Sequence, residues 1–299
     1  MAWLDGKLVD WIGVNVSPLS HSFSRASAVF DVMAVVPAVK GPALICLKEH
    51  VERFFSSAER TGMTIPFTPD EICKAIIEVA RANSVHHGIA KFYAYYPEMD
   101  LGSKLPEKVS TTIFCVDYST LGSDPSGFSA PISVGISQYR KLHPQTAAVH
   151  AKVVGNYVNG YLARTEVRRK GFDEALMLDT AGYVAEGPTS NIFLVSKGCV
   201  ETPTKENVLP GITRRVVIDV LTEMGHTVKE THILPQNLCE YDEAFFSGTL
   251  RQVQPIRQIE GCSLSCPGAI TQALMSRMQE VYSGSVKRYE NILTYVDES

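Results

Sequence analysis

Five short stretches of this 299-residue chain carry side chains whose types and spacing suit chemistry. The first is Ala151-Lys152-Val153-Val154-Gly155-Asn156-Tyr157. A lysine where a strand gives way to a helix, with a tyrosine five residues on, can present an amine and a phenol to one bound molecule. In apolar surroundings a lysine amine has a lowered pKa and can form a Schiff base. Read alone, Lys152 also fits an ordinary surface lysine. The second stretch, 182–191, sets Glu186 between a strand and a Gly187-Pro188 turn. A carboxylate held that way can keep a pyridine nitrogen protonated; a solvated turn glutamate explains the same residues. The third, Leu209-Pro210-Gly211-Ile212-Thr213-Arg214, opens a helix with a Pro-Gly turn. Such a start leaves backbone N–H groups for an anion such as phosphate, or is simply a helix capped near Thr213. The fourth, Ser247-Gly248-Thr249, ends a strand with a glycine and a hydroxyl and offers a weaker phosphate contact. The fifth, Glu49-His50-Val51-Glu52-Arg53, carries an arginine fork suited to phosphate, or is a solvated helix face. Together they supply an amine nucleophile, a tyrosine, a pyridinium partner and phosphate donors. That is the inventory a pyridoxal 5'-phosphate (PLP) enzyme needs.

Such residues need elements to hold them. Asp5-Gly6, flanked by apolar residues, predicts a tight hairpin, because a primed turn needs positive φ. Strands are expected over 28–36 and 43–47, then a helix over 48–61. Its stripe is Leu47, Val51, Phe54, Phe55 and Ala58, and Gly62 stops it. Thr68-Pro69-Asp70-Glu71 reads as a capping box opening a second helix, with Ile72, Ala75, Ile76, Val79 and Ala80 buried. Strands over 90–96 and 109–117 complete an α+β domain, 1–118. Residues 119–130, rich in Ser, Gly, Pro and Asp, read as a linker. The rest, 131–299, reads as a second domain. It has helices over 156–170, 213–224 and 269–281, and short strands over 174–178, 183–186, 191–195, 199–202 and 243–247.

Composition narrows the function classes. With 45% hydrophobic and 20% charged residues there is apolar material for two cores without staples. A net charge of −4 favours neither nucleic acid nor an anionic membrane as partner. The N-terminus lacks a basic region followed by an apolar run and does not read as a signal peptide. The most apolar window, 29–47, is interrupted by Asp31, Pro37, Lys40, Gly41 and Pro42, so it reads as two strands and a turn rather than a membrane span. The seven cysteines are scattered, and only Cys262 and Cys266 lie close together. No histidine pair completes a zinc pattern, so no metal site is expected. The cysteines read as reduced thiols in a cytoplasmic protein.

In order and spacing these motifs resemble the class IV, or fold-type IV, PLP-dependent aminotransferases, and among them the branched-chain aminotransferase group. The resemblance runs from Trp3-Leu4-Asp5-Gly6-Lys7 through Lys152-x-x-Gly-Asn-Tyr157, Glu186-Gly187, Leu209-Pro-Gly-Ile-Thr-Arg214 and Ser247-Gly-Thr249 to Arg257. It implies an α+β, two-domain fold, with a smaller N-terminal α/β domain and a larger, β-barrel-like C-terminal domain with helices. It implies that Lys152 holds PLP as the internal aldimine and shuttles the proton between Cα and C4′. Tyr157 would hydrogen-bond the phenolic oxygen and Glu186 would pair with the pyridine nitrogen. Arg53, Ile212 (through its N–H), Thr213 and Thr249 would hold the phosphate, and Leu209 would pack on the ring. A homodimer or higher homo-oligomer is implied, with an amino donor and a 2-oxo acid acceptor as small-molecule partners.

The first domain departs from the branched-chain pattern. Phe30-Asp31-Val32-Met33-Ala34 stands where that group has Phe-Glu-Gly-Ile-Arg. Arg25 falls at an aromatic position, Lys91 at an arginine position and Leu250 at a small one. Arg25, Phe30, Lys91 and Leu250 are therefore candidate substrate contacts, with Arg25 or Lys91 for a carboxylate and Tyr93, Tyr95 or Tyr96 for an aromatic lining. A surface arginine and paired strand tyrosines explain these residues equally. The expected function is transamination from an amino acid or amine to a 2-oxo acid, with a donor other than leucine, isoleucine or valine. One alternative is a lyase of the aminodeoxychorismate type, although Gly155-Asn156-Tyr157 looks more like the aminotransferases. Another is a non-catalytic protein on the same scaffold, against which all the cofactor positions are filled.

Overall fold

The first hairpin forms at Asp5-Gly6. β1 (Ala2–Leu4) and β2 (Lys7–Val9) pair with Leu4 opposite Lys7, and Asp5 and Gly6 take φ of 46° and 94°. That is the backbone of a primed two-residue turn, whose twist matches its strands. The protein, described by a computed structural model over residues 1–99, 106–122 and 125–297, then forms α1 (His21–Arg25), capped by Ser20 Oγ accepting from Phe23 N–H. The apolar window is a strand pair, β3 (Val29–Ala38) and β4 (Gly41–Ile45), as its interruptions predict. α2 (Leu47–Arg60) lays its stripe of Leu47, Val51, Phe54 and Ala58 into the core. α3 (Pro69–Ala82) starts with the expected capping box, Thr68 and Glu71 each bonding the other's backbone N–H. β5 (Gly88–Tyr95) and β6 (Ser110–Asp117) follow. Phe54, Ile72, Ile76, Phe92 and Ile113 are fully buried between these helices and strands. Each such side chain contributes roughly 1.5–3 kcal/mol by leaving water.

A short 3-10 turn, Pro125–Ser129, leads into the second set of elements. These are β7 (Ile132–Ile136), α4 (Asn156–Arg169), β8 (Glu174–Leu178), β9 (Val184–Glu186), β10 (Asn191–Ser196), β11 (Cys199–Pro203), α5 (Ile212–Glu223) and β12 (Val228–Thr231). β13 (Glu243–Gly248), β14 (Gln252–Ile259), β15 (Cys262–Ser263) and α6 (Ala269–Tyr282) complete the set. The strands form a nine-stranded sheet ordered β12-β11-β10-β13-β14-β7-β8-β9, with β15 on β14. β9 also pairs back on β10, with Asn191 opposite Glu186, so the strands from β10 round to β9 close into a barrel-like ring. Leu176, Ile192, Leu194, Phe246 and Ile256 fill its core. Closure gives β9 a partner at an edge that would otherwise be free.

The last strand, β16 (Leu293–Tyr295), pairs with β4, Leu293 opposite Ile45, and completes a seven-stranded sheet β16-β4-β3-β5-β6-β1-β2. The compact units are therefore 1–124 with 151–155 and 280–299, and 125–150 with 156–279. These bounds part from the expected domains 1–118 and 131–299 within the linker, at 151–155 and at 280–299. The chain's end belongs with the first unit because its strand needs the edge of β4. Residues 151–155 belong there because their backbone bonds to the edge of β3, as described below. Of the expected linker, residues 123–124 lie outside the described residues.

The reading of every cysteine as a reduced thiol is corrected. Cys239 and Cys262 form a disulfide, their Cα atoms 4.9 Å apart, while Cys73, Cys115, Cys199 and Cys266 are free. The pairing of β15 with β14 brings Cys262 to the 3-10 helix Pro235–Glu240, where Cys239 lies. Among the described residues no helix is long and apolar enough to cross a membrane.

Candidate active site

In the first unit the site begins with strand alternation. Phe30 and Val32 pair across strands with Tyr93 and Lys91 and share their face of the sheet. Asp31, between them, points the other way, toward α2, and is wholly buried. Arg53 grips it as a fork, Nε to Oδ2 and Nη2 to Oδ1, both at 2.7 Å. His50 Nδ1 lies 2.7 Å from Oδ1, and Val32 N–H donates to the same oxygen. Burial by itself would raise the Asp31 carboxyl, but Arg53 and then His50 reverse this and hold it well below the usual carboxylate range. Burial lowers the His50 imidazole; the Asp31 charge opposes that, while Arg53 and Lys152 add to it. Arg53 is thus oriented by a carboxylate that the motif reading passed over. An acidic residue inside an otherwise apolar strand, with His50 and Arg53 one turn apart, was the available signal.

Lys152 sits at the edge of β3. Its carbonyl accepts from Phe30 N–H at 3.0 Å and its own N–H donates to Ser57 Oγ at 3.0 Å. Val154 and Gly155 N–H donate to Ala28 and Ala26 carbonyls, and Val29 bridges to Val153. A Cβ on Gly155 would lie 3.1 Å from Ala26 O, tighter than ordinary contact, so this close approach uses the glycine. Lys152 Nζ stands 4.8 Å from the centre of the Phe30 ring. Lys91 Nζ stands 5.4 Å from the same centre and 5.2 Å from that of Tyr93. Lys152, Phe30, Lys91 and Tyr93 are therefore brought together, with Arg53 and His50 on the α2 side. Arg25 is the exposed last residue of α1. Tyr95 and Tyr96 are corrected to core residues. Both are buried, and Tyr96 O–H donates to the Gly62 carbonyl.

In the second unit Glu186 ends β9 and is buried. Lys141 Nζ lies 2.7 Å from its Oε1, Asn191 Nδ2 donates to Oε2 at 2.9 Å, and Leu209 N–H reaches Oε1 at 3.4 Å. Asn191 Nδ2 also donates to the Leu209 carbonyl, so one amide ties Glu186 to the approach of α5. α5 opens at Ile212 and Thr213 with Gly211 at its N-cap and no side-chain cap, as an anion-receiving helix start requires. A Cβ on Gly211 would collide with Asn191 Oδ1. Thr249 and Leu250 occupy the turn between β13 and β14, Leu250 exposed. Arg251, next in that turn, pairs with buried Glu174 at 2.5 Å, and Arg164 holds the same carboxylate at 2.8 Å. Tyr157 lies in the first turn of α4. Among the described residues the buried Ser190 and Ser247 hydroxyls have no hydrogen-bond partner. Glu186, Leu209 and the start of α5 are thus one connected group. Lys141 escaped the sequence reading, and Ser190, Asn191 and Ser247 had no role of their own in it, because nothing local marks which of many polar residues a fold turns inward.

The family model for amino-transferase class IV matches residues 28–259, a span that contains Phe30, Arg53, Lys152, Glu186 and Thr249. The chain belongs to that family and is an aminotransferase with the fold-type IV architecture. It is 31% identical over 297 residues to the branched-chain-amino-acid aminotransferase of Pseudomonas aeruginosa, covering 98% of this chain and 96% of the relative. Its fold is similar to the crystal structure of the branched-chain aminotransferase of Thermoproteus uzoniensis with norvaline, at TM-score 0.92 and 32% identity, over 99% of this chain and 98% of that one. It is also similar to the branched-chain amino acid aminotransferase of Thermobaculum terrenum in its PLP form, at TM-score 0.91 and 27% identity, over 99% and 98% of the two chains.

Proposed function

We propose that this aminotransferase works with PLP and that Lys152 is its catalytic amine. The observation that carries the reading is the placement of Lys152. A lysine held by both its backbone N–H and its C=O extends its amine over an aromatic ring. Within the second unit, the residues present fit a phosphorylated pyridine. The orphaned Ser190 and Ser247 hydroxyls are buried polar groups that seek a partner, and the start of α5 has backbone donors without a side-chain cap. Family membership and the PLP form of a relative support the same cofactor.

When bound, PLP supplies an electron sink for the carbanion formed at the substrate Cα. Lys152 would take the proton from the substrate Cα and hold it for return to the cofactor. Glu186 would accept a hydrogen bond from the ring nitrogen, and Lys141 and Asn191 hold its carboxylate in place with an ion pair and a hydrogen bond. Arg53, the Ile212 N–H, Thr213 and Thr249 would hold the phosphate, and Asp31 orients the Arg53 guanidinium. Tyr157 would hydrogen-bond the phenolic oxygen and Leu209 would cover a ring face. Arg25, Phe30, Lys91 and Leu250 meet the substrate. The departures from the branched-chain pattern at Arg25, Lys91 and Leu250 support a donor other than leucine, isoleucine or valine, and Arg25 or Lys91 can receive a carboxylate where the donor carries one. The chain works as a homodimer or higher homo-oligomer, a reading supported by the exposed Trp11, Ile12, Leu19 and Phe23 and by Val158 and Tyr161 on α4.

A spectral half-reaction tests this. Purified protein loaded with PLP is mixed with single L-amino acids, D-amino acids or simple chiral amines while the cofactor's long-wavelength absorbance is followed. One donor class bleaches the wild type, and none bleaches Lys152→Ala. Failure to take up PLP overturns the reading. Rapid bleaching by leucine, isoleucine or valine overturns the altered donor alone.

A further inference from the structure

α2 carries His50, Arg53 and Ser57 on one side, at the three- and seven-residue spacings that stack side chains along a helix face. The first two grip Asp31. The third is wholly buried and reaches the lysine. We propose that Ser57 is a positioning residue that aims the Lys152 amine, an inference that rests on the reading of Lys152 as the catalytic amine.

A hydroxyl has one proton to donate and lone pairs to accept with. Ser57 Oγ donates to the Arg53 carbonyl at 2.8 Å, which orients a lone pair, and it accepts the Lys152 N–H at 3.0 Å from a residue 95 positions away. On the other side of the same Cα, the Lys152 carbonyl accepts from Phe30 N–H. The two bonds fix the peptide planes on both sides of Lys152 and therefore the direction in which its Cα–Cβ bond leaves the backbone. From that bond the chain runs to Nζ, 4.8 Å from the centre of the Phe30 ring. Serine is a poorer helix former than alanine, so the middle of α2 offers no local reason for it. Its partner across the fold does. Because Arg53 projects from the same helix one turn earlier, α2 sets the distance from the phosphate-binding guanidinium to the amine as one rigid dimension.

The test compares Ser57→Ala, Ser57→Thr and Ser57→Val with the wild type as PLP-loaded proteins. Threonine keeps the hydroxyl, and valine adds the same volume without it. Three quantities are read: the pH midpoint of the cofactor absorbance band, the split between kcat and donor KM, and hydrogen–deuterium exchange of the peptide spanning 148–156. In Ser57→Ala the midpoint shifts, kcat falls about tenfold while KM stays within about twofold, and the peptide exchanges faster. Threonine retains wild-type behaviour and valine follows alanine. Thr and Val variants that behave alike reduce Ser57 to packing and overturn the proposal. So does an Ala variant that loses thermal stability while its midpoint and kcat are unchanged. Lys152→Ala, run beside them, separates the two readings. If it still binds PLP covalently, the role of Lys152 fails. If it does not, and Ser57→Ala matches the wild type, only the Ser57 inference fails.

Discussion

At the scale of single residues, the first unit's site is organised by a buried carboxylate. Asp31 draws the Arg53 fork and the His50 ring to one point under β3. Its carboxyl is held low by its cationic neighbours against the effect of burial. The linkage follows from that direction. The stability Asp31 contributes is fully present above the ordinary carboxylate value, about pH 4, and is lost as pH falls toward its depressed folded value. Asp31→Asn is expected to lose about 3 kcal/mol at pH 7, because a guanidinium is left at a buried site without its counter-charge. Urea denaturation of the two proteins at pH 7, 5 and 3 should show that gap closing only below about pH 4; an equal gap at all three would show that Asp31 acts by shape. Arg25 and Lys91 are separable at the same scale. If Lys91 is the carboxylate contact, Lys91→Ala raises the donor KM about tenfold or more and Arg25→Ala does not. Steady-state kinetics with the donor named by the half-reaction decides between them.

At the scale of elements, helix starts and tight turns do the positioning. α5 begins at a glycine whose missing Cβ lets Asn191 come close enough to bond both Glu186 and the Leu209 carbonyl. Gly211→Ala keeps an ordinary backbone angle, since φ there is −67°, so its effect comes from the collision alone. About 1–3 kcal/mol of stability should be lost, and PLP affinity should fall, both read in one thermal titration with and without the cofactor. Unchanged affinity would separate the Asn191 amide from the cofactor site. By contrast, Thr68→Ala breaks the capping box of α3, well away from Lys152 in sequence and in pairing. It should cost about 1 kcal/mol and leave donor kinetics alone.

At the scale of the whole molecule, long-range closures hold each unit. β16 returns to β4, β9 returns to β10, and the Cys239–Cys262 disulfide spans 23 positions. A cross-link closing a loop of that length stabilises by roughly 3 kcal/mol, chiefly through the unfolded chain. Dithiothreitol should therefore lower the melting temperature of the wild type and leave that of the Cys239→Ser, Cys262→Ser double variant unchanged. Equal melting temperatures for the wild type with and without reductant would show that the bridge contributes nothing.

Much of this was legible in the residues themselves. The Asp5-Gly6 turn, the Thr68 capping box, the stripes of α2 and α3 and the glycine stops are decided within a few neighbours, where backbone preference and local hydrogen bonds dominate. The order of Lys152, Glu186, Leu209-Pro-Gly and Ser-Gly-Thr249 carried the family and the activity. Periodicity could not supply the partners of those residues. Asp31 meets Arg53 from 22 positions away, Lys152 meets Ser57 from 95, and Lys40 meets Glu290 from 250. Lys141 finds Glu186, and Cys262 finds Cys239 rather than Cys266. No local propensity acts over such separations. These pairings exist because burial forces polar groups to find partners, and which partners lie in reach is set by how strands pair and helices pack.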